Sequence, residues 1–91
     1  MRFEKAFVSR EHRYSLGVDV DSGRHYMAIP MSNQMVDYIE YYKLSDEEYM
    51  ELGNDGSLAV DFADSCRRRE RDDRLFMQPG SDRGVPRYLS M

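Results

Sequence analysis

The sequence predicts an α+β fold: a small antiparallel sheet of three to four strands packed on two helices. Three observations lead there. Apolar and polar residues alternate through the first third of the chain, the period of a half-buried strand. A second run rich in aromatic and β-branched residues covers 35–43. Helix signals begin only after it, with a capping pattern at Ser45 and an apolar stripe beyond Ser57. Strands first and helices afterwards define α+β with an antiparallel sheet.

Tyr14, Leu16, Val18 and Val20 recur at every second position. Asp21-Ser22-Gly23 supplies turn chemistry, because glycine accepts a positive φ and aspartate bonds its own backbone. Tyr26, Ala28 and Pro30 then alternate against Met27, Ile29 and Met31, which completes a β-hairpin. Pro30 cannot donate to a ladder and belongs at a strand end or edge. Residues 2–8 offer an earlier strand anchored by Phe3 and Phe7, with a less regular pattern.

In 35–43, Val36, Tyr38, Glu40 and Tyr42 share one face, and Met35, Asp37, Ile39 and Tyr41 share the other. Ser45 with Glu48 forms a capping box, and Asp46 and Glu47 suit the helix N-terminus. Gly53-Asn54-Asp55-Gly56 ends this helix. A second helix starts near Ser57 and carries Ala59, Phe62, Ala63 and Cys66 on one stripe, with Asp72 and Asp73 at its close. One sheet face is expected to pack on it, leaving the other to solvent or a partner. Leu75-Phe76-Met77 is a candidate last strand, and the breakers beyond it make 78–91 a loop-rich tail.

At 91 residues the chain is one domain. Its 12% aromatic content excludes a wholly disordered chain. No apolar run reaches the roughly 20 residues that span a bilayer. The charged N-terminus lacks the apolar stretch of a signal peptide, so the expected location is the cytoplasm. The single cysteine, Cys66, excludes an internal disulfide and reads as a buried helix residue, with a reactive thiol as the alternative.

Specific chemistry is sparse. Two histidines and one cysteine do not make a zinc site. Asp19-Val20-Asp21-Ser22-Gly23 resembles the start of a calcium loop, but Arg24 and Pro30 stand where that loop needs glycine and glutamate. No nucleophile elbow, phosphate loop or dinucleotide fingerprint occurs. The expectation is a protein that is not an enzyme and has no cofactor.

The net charge of −4 is unevenly spread. Residues 32–66 hold nine acidic groups and only Lys43, whereas 67–91 hold seven arginines and four acids. An acidic middle repels nucleic acid and attracts basic surfaces; a merely solvated face is the plain alternative. Arg67, Arg68, Arg69, Arg71 and Arg74 are the best nucleic-acid signal. They are interleaved with Glu70, Asp72 and Asp73, so internal ion pairing competes with that reading. The tail arginines read either as a recognition loop or as a C-terminus closing onto the acidic face. Tyr38, Tyr41, Tyr42 and Tyr49 lie among Asp37, Glu40, Glu47, Glu48 and Glu51. Carboxylates steer a basic partner and tyrosines supply buried anchor area.

A short α+β chain with an acidic middle and the stretch Met35-Val36-Asp37-Tyr38-Ile39-Glu40-Tyr41-Tyr42-Lys43 resembles the small immunity proteins of bacterial toxin systems, including those of contact-dependent growth inhibition. The resemblance implies a chain that binds a toxin domain, often a basic nuclease, and blocks its active site or substrate path. The arginine cluster departs from a simple acidic mimic. The expected partner-binding residues are Asp37, Glu40, Tyr41, Asp46, Glu47 and Glu48, facing a protein with a basic surface. The alternatives are an RNA-associated or regulatory module using Arg67 to Arg74, and a homodimer paired through strand edges.

Overall fold

The alternating residues after Arg13 build the middle of a sheet. The computed structural model describes residues 2–79 and 83–86. Its strands are β1 (Phe3–Ser9), β2 (Tyr14–Asp19), β3 (His25–Ser32) and β4 (Asp37–Leu44), antiparallel in the order β1-β2-β3-β4. Helices α1 (Asp46–Asn54) and α2 (Gly56–Arg67) follow, then a 3-10 turn at Asp72–Arg74 and a short strand β5 (Val85–Pro86). The class is the predicted α+β.

Leu16 faces Met27 and Val18 faces His25 across the central hairpin. Asp19 holds its turn. The carboxylate accepts the Arg2 N–H at 2.8 Å and the Ser22 hydroxyl at 2.6 Å. Gly23, at φ 75°, supplies the left-handed residue. A hairpin turn thus accounts for the residues that resembled a calcium loop.

β1 is irregular for a physical reason. Its pairing with β2 slips between Lys5 and Phe7. Such a bulge turns the residues beyond it to the other face. Phe3 therefore lies opposite Asp19 on the face away from the helices, and Phe7 lies opposite Leu16 on the helix side. β4 begins at Asp37, two residues into the predicted run. The Asn33 side chain accepts the N–H groups of Met35 and Val36, both at 2.8 Å, and keeps them in a turn.

The helix side of the sheet holds Leu16, Met27, Ile29, Tyr42 and Leu44, packed with Leu52 of α1 and the predicted stripe of α2. Cys66 is 1% exposed. Burial pushes its thiol up to about 12, far from a reactive thiolate. The capping box is formed: Ser45 Oγ accepts the Glu48 N–H at 3.1 Å and Glu48 accepts the Ser45 N–H at 2.9 Å.

The second helix differs at both ends from its prediction. Asp55 caps it, accepting from Ser57 and Leu58, so it starts at Gly56. It stops at Arg67, short of Asp72. Arg69 takes a left-handed φ of 63°. Its N–H donates to the Cys66 carbonyl and that of Glu70 to the Ser65 carbonyl. That pair of bonds is a Schellman stop, formed here on an arginine rather than the usual glycine.

The outer sheet face carries an aromatic layer at one end. The Phe3 ring stacks on Tyr41 at 3.6 Å between centroids and meets Tyr26 edge-on at 5.1 Å. Phe76 meets Phe3 edge-on at 5.2 Å. Gly17 makes room for this layer, because a Cβ there would collide with the Glu4 carbonyl and the Tyr26 ring. Gly17→Ala is therefore expected to lower stability by about 1–3 kcal/mol through overpacking. The check is a lower urea midpoint at unchanged slope.

Candidate functional site

β4 places Tyr38, Glu40 and Tyr42 on the helix side and Asp37, Ile39 and Tyr41 on the outer side. Glu40 is 5% exposed, too deep to meet a partner. A carboxylate on a core-facing position must be paired. Arg83 supplies the pair, with Nε and Nη2 donating to the two Glu40 oxygens at 2.9 and 3.0 Å. The Tyr42 and Tyr38 hydroxyls donate to the same carboxylate at 2.8 and 3.0 Å. Burial alone would raise the Glu40 pKa, but these donors and the Arg83 charge hold it below its ordinary value. Arg83 also donates to both Asp72 oxygens at 2.7 and 2.9 Å.

The segment bearing Arg83 is thereby strapped to the sheet. Gly84 donates to the Tyr38 hydroxyl at 2.8 Å, and Val85–Pro86 pair with Ser32 and Met31. Within the predicted loop-rich tail, 85–86 form a two-residue strand, while 80–82 and 87–91 lie outside the described residues. Leu75 makes a single bridge to Tyr42, and the Phe76 N–H donates to the Tyr41 carbonyl at 3.0 Å. This covers part of the β4 edge in place of a full last strand. Beyond it a groove of about 400 Å³ runs past Val36, Ile39 and Met77.

The six predicted partner-binding residues do not form one surface. Glu40 is enclosed by Arg83. Tyr41 is half-buried and stacked on Phe3, an anchor within the chain. Glu48 closes the capping box and accepts from Arg74 at 2.8 and 3.0 Å. That arginine, against some cost of burial, holds the Glu48 carboxyl at about 2. Asp37, Asp46 and Glu47 are exposed. Asp37 starts β4, whereas Asp46 and Glu47 follow its far end, about 23 Å away at the rise of a strand. Asp46 meets His25 Nδ1 at 2.9 Å, beside Tyr49, which stacks on the His25 ring at 3.9 Å.

What gathers instead is a helical face. Glu47, Met50, Glu51 and Asn54 are all exposed and sit at i, i+3, i+4 and i+7 of α1. Met50 is 66% exposed among these carboxylates. Across a groove of about 520 Å³, α2 adds Leu58 and Asp61. Arg68 also lines this groove, tied to Glu70 at 2.8 Å. Met50, Glu51, Leu58 and Asp61 were not among the residues expected from sequence. The signal was present: Leu58 falls outside the stripe of α2, and Met50 lies two residues before the buried Leu52.

All five arginines of the cluster make contacts inside the chain. Arg67 pairs with Asp64 at 3.0 Å, Arg68 with Glu70 and Arg74 with Glu48. Arg69 donates to the Gly84 carbonyl, and Arg71 donates to Ser65 and lies over the Phe62 ring at 4.7 Å. Among the described residues no cluster of metal-ligating side chains is present, and no helix is long and apolar enough to cross a membrane. Compared with protein-family models, curated proteins and solved structures, the chain matches none.

Arg83→Met leaves Glu40 buried without its cation and is expected to cost about 3–5 kcal/mol. Adding Glu40→Gln should recover much of that loss, read by urea unfolding of both variants. The lowered Glu40 and Glu48 pKa values also set a pH dependence. Their stabilisation is full above the ordinary carboxylate value of 4.5 and is lost as pH falls toward about 2 for Glu48. Thermal unfolding across that window should show falling stability, with a shallower slope for Glu48→Gln.

Proposed function

We propose that the chain is a protein-binding inhibitor of the immunity type, covering a basic surface of a toxin domain with its α1–α2 acidic face. The supporting observation is the exposed row Glu47, Met50, Glu51 and Asn54, in which an apolar side chain stands among carboxylates. Long-range attraction between such a face and a basic partner speeds encounter, and the desolvated methionine supplies contact area. The RNA-associated reading has less support, because the Arg67 to Arg74 guanidiniums are engaged within the chain. A homodimer through strand edges keeps one observation in its favour: among the described residues, no strand pairs with the outer edge of β4 beside Ile39.

The decisive reversal is Glu47→Lys with Glu51→Lys. It spares Glu48, whose loss would weaken the cap and the Arg74 pair together. A partner captured from lysate by the wild-type chain should be lost, or should associate at least about tenfold more slowly at low salt, with the reversed chain. Expressed alone, that partner should arrest growth, and co-expression of this chain should restore it. Capture that is indifferent to the reversal, or a partner without toxicity, would remove this reading.

A further inference from the structure

The sheet face opposite the helices carries a basic feature at the end away from the aromatic layer. A groove of about 430 Å³ has Ala28, Pro30 and Ile39 on its floor and Lys5, Arg10 and Arg13 around it. All three cations are exposed, and no carboxylate lines the groove among the described residues. In a chain of net charge −4 this is a local inversion of sign.

The turn that carries two of these cations is held in place. Arg13 has a φ of 58°, a left-handed conformation uncommon for a side chain of its size. Arg67, from the end of α2, donates to the His12 and Arg13 carbonyls at 2.6 and 2.7 Å. The Arg67 side chain is only 6% exposed. A buried guanidinium thus clamps a strained turn and presents Arg10 and Arg13 beside the apolar floor. Local strain kept by the surrounding structure is a pointer to function.

We infer that this groove docks an acidic, extended segment of a partner protein, with carboxylates on Lys5, Arg10 and Arg13 and an aliphatic side chain on the floor. Charge complementarity selects an anionic occupant. The floor selects protein over single-stranded nucleic acid. Bases bind by stacking on open aromatic faces. Here Phe3, Tyr26 and Tyr41 are packed against one another, and the one aromatic that lines the groove, Tyr14, is 5% exposed and offers no open face beside the aliphatic floor. The inference is independent of the α1 face and of the toxin reading.

The test is fluorescence anisotropy with a short labelled peptide in which glutamates alternate with valines. Labelled oligouridylate and polyglutamate serve as competing probes. The peptide is expected to bind more tightly than either and to weaken with added salt. Arg10→Glu with Arg13→Glu, which leaves Arg67 in place, should weaken it at least about tenfold. Glu47→Lys with Glu51→Lys should not weaken it. An unchanged thermal midpoint for the arginine reversal confirms an intact fold, and Ile39→Ser should lower affinity through the floor alone. Absence of peptide binding, tighter binding of oligouridylate, or indifference to the arginine reversal overturns the inference. So does self-association in sedimentation that the same reversal abolishes, which would assign the groove to a second copy of this chain.

Discussion

The Glu40–Arg83 pair organises more of this fold than any other contact. Glu40 sits on the helix-facing side of β4, where an unpaired carboxylate is incompatible with a folded core. Its cation arrives from 43 positions later in the chain. In meeting Glu40, Arg83 also meets Asp72, so one guanidinium ties β4 to the 3-10 turn and to the segment of β5. Tyr38 and Tyr42 complete the shell, and Gly84 follows because a Cβ there would strike the Ser32 backbone. Two burials that are costly apart become compatible together. The pair offsets its own desolvation rather than adding a surplus of stability, and losing either partner strands the other's charge.

The rest of the molecule sorts charge by position along the strands. His25 at the start of β3 lies opposite Leu44 at the end of β4, so α1 begins at that end of the sheet. The turn between β1 and β2 lies at the other end, where α2 finishes on Arg67. Acidic α1 and the basic Arg10–Arg13 turn are thereby separated by the length of the sheet. Between them, charges are cancelled locally in pairs such as Arg74–Glu48 and Arg68–Glu70. A net charge of −4 conceals a molecule with an acidic pole and a basic pole, each with exposed apolar side chains such as Met50 and Val8.

Local rules carried far in the sequence. The period of two in 14–20, the turn at Gly23, the Ser45 box and the Ala59–Cys66 stripe all correspond to observed elements. Each depends on residues a few positions apart. The departures arise where a side chain acted on a backbone that propensity alone describes. Asn33 delayed β4, Asp55 advanced α2, and the Arg69 stop ended α2 early. The bulge in β1 separated Phe3 from Phe7 and made the aromatic layer, which no periodicity announces.

The same division holds for the candidate sites. The sequence by itself determined the class of fold, the caps, the core stripe of α2 and the existence of an acidic middle, because those follow from near neighbours and composition. Tertiary structure decided which charges remain on the surface. Glu40 and Glu48 are as acidic on paper as Glu47 and Glu51, yet Arg83 and Arg74 close over the first two from 43 and 26 positions away. A charge is neutralised through space, at a few ångströms, and distance along the chain sets no limit on which partner reaches it.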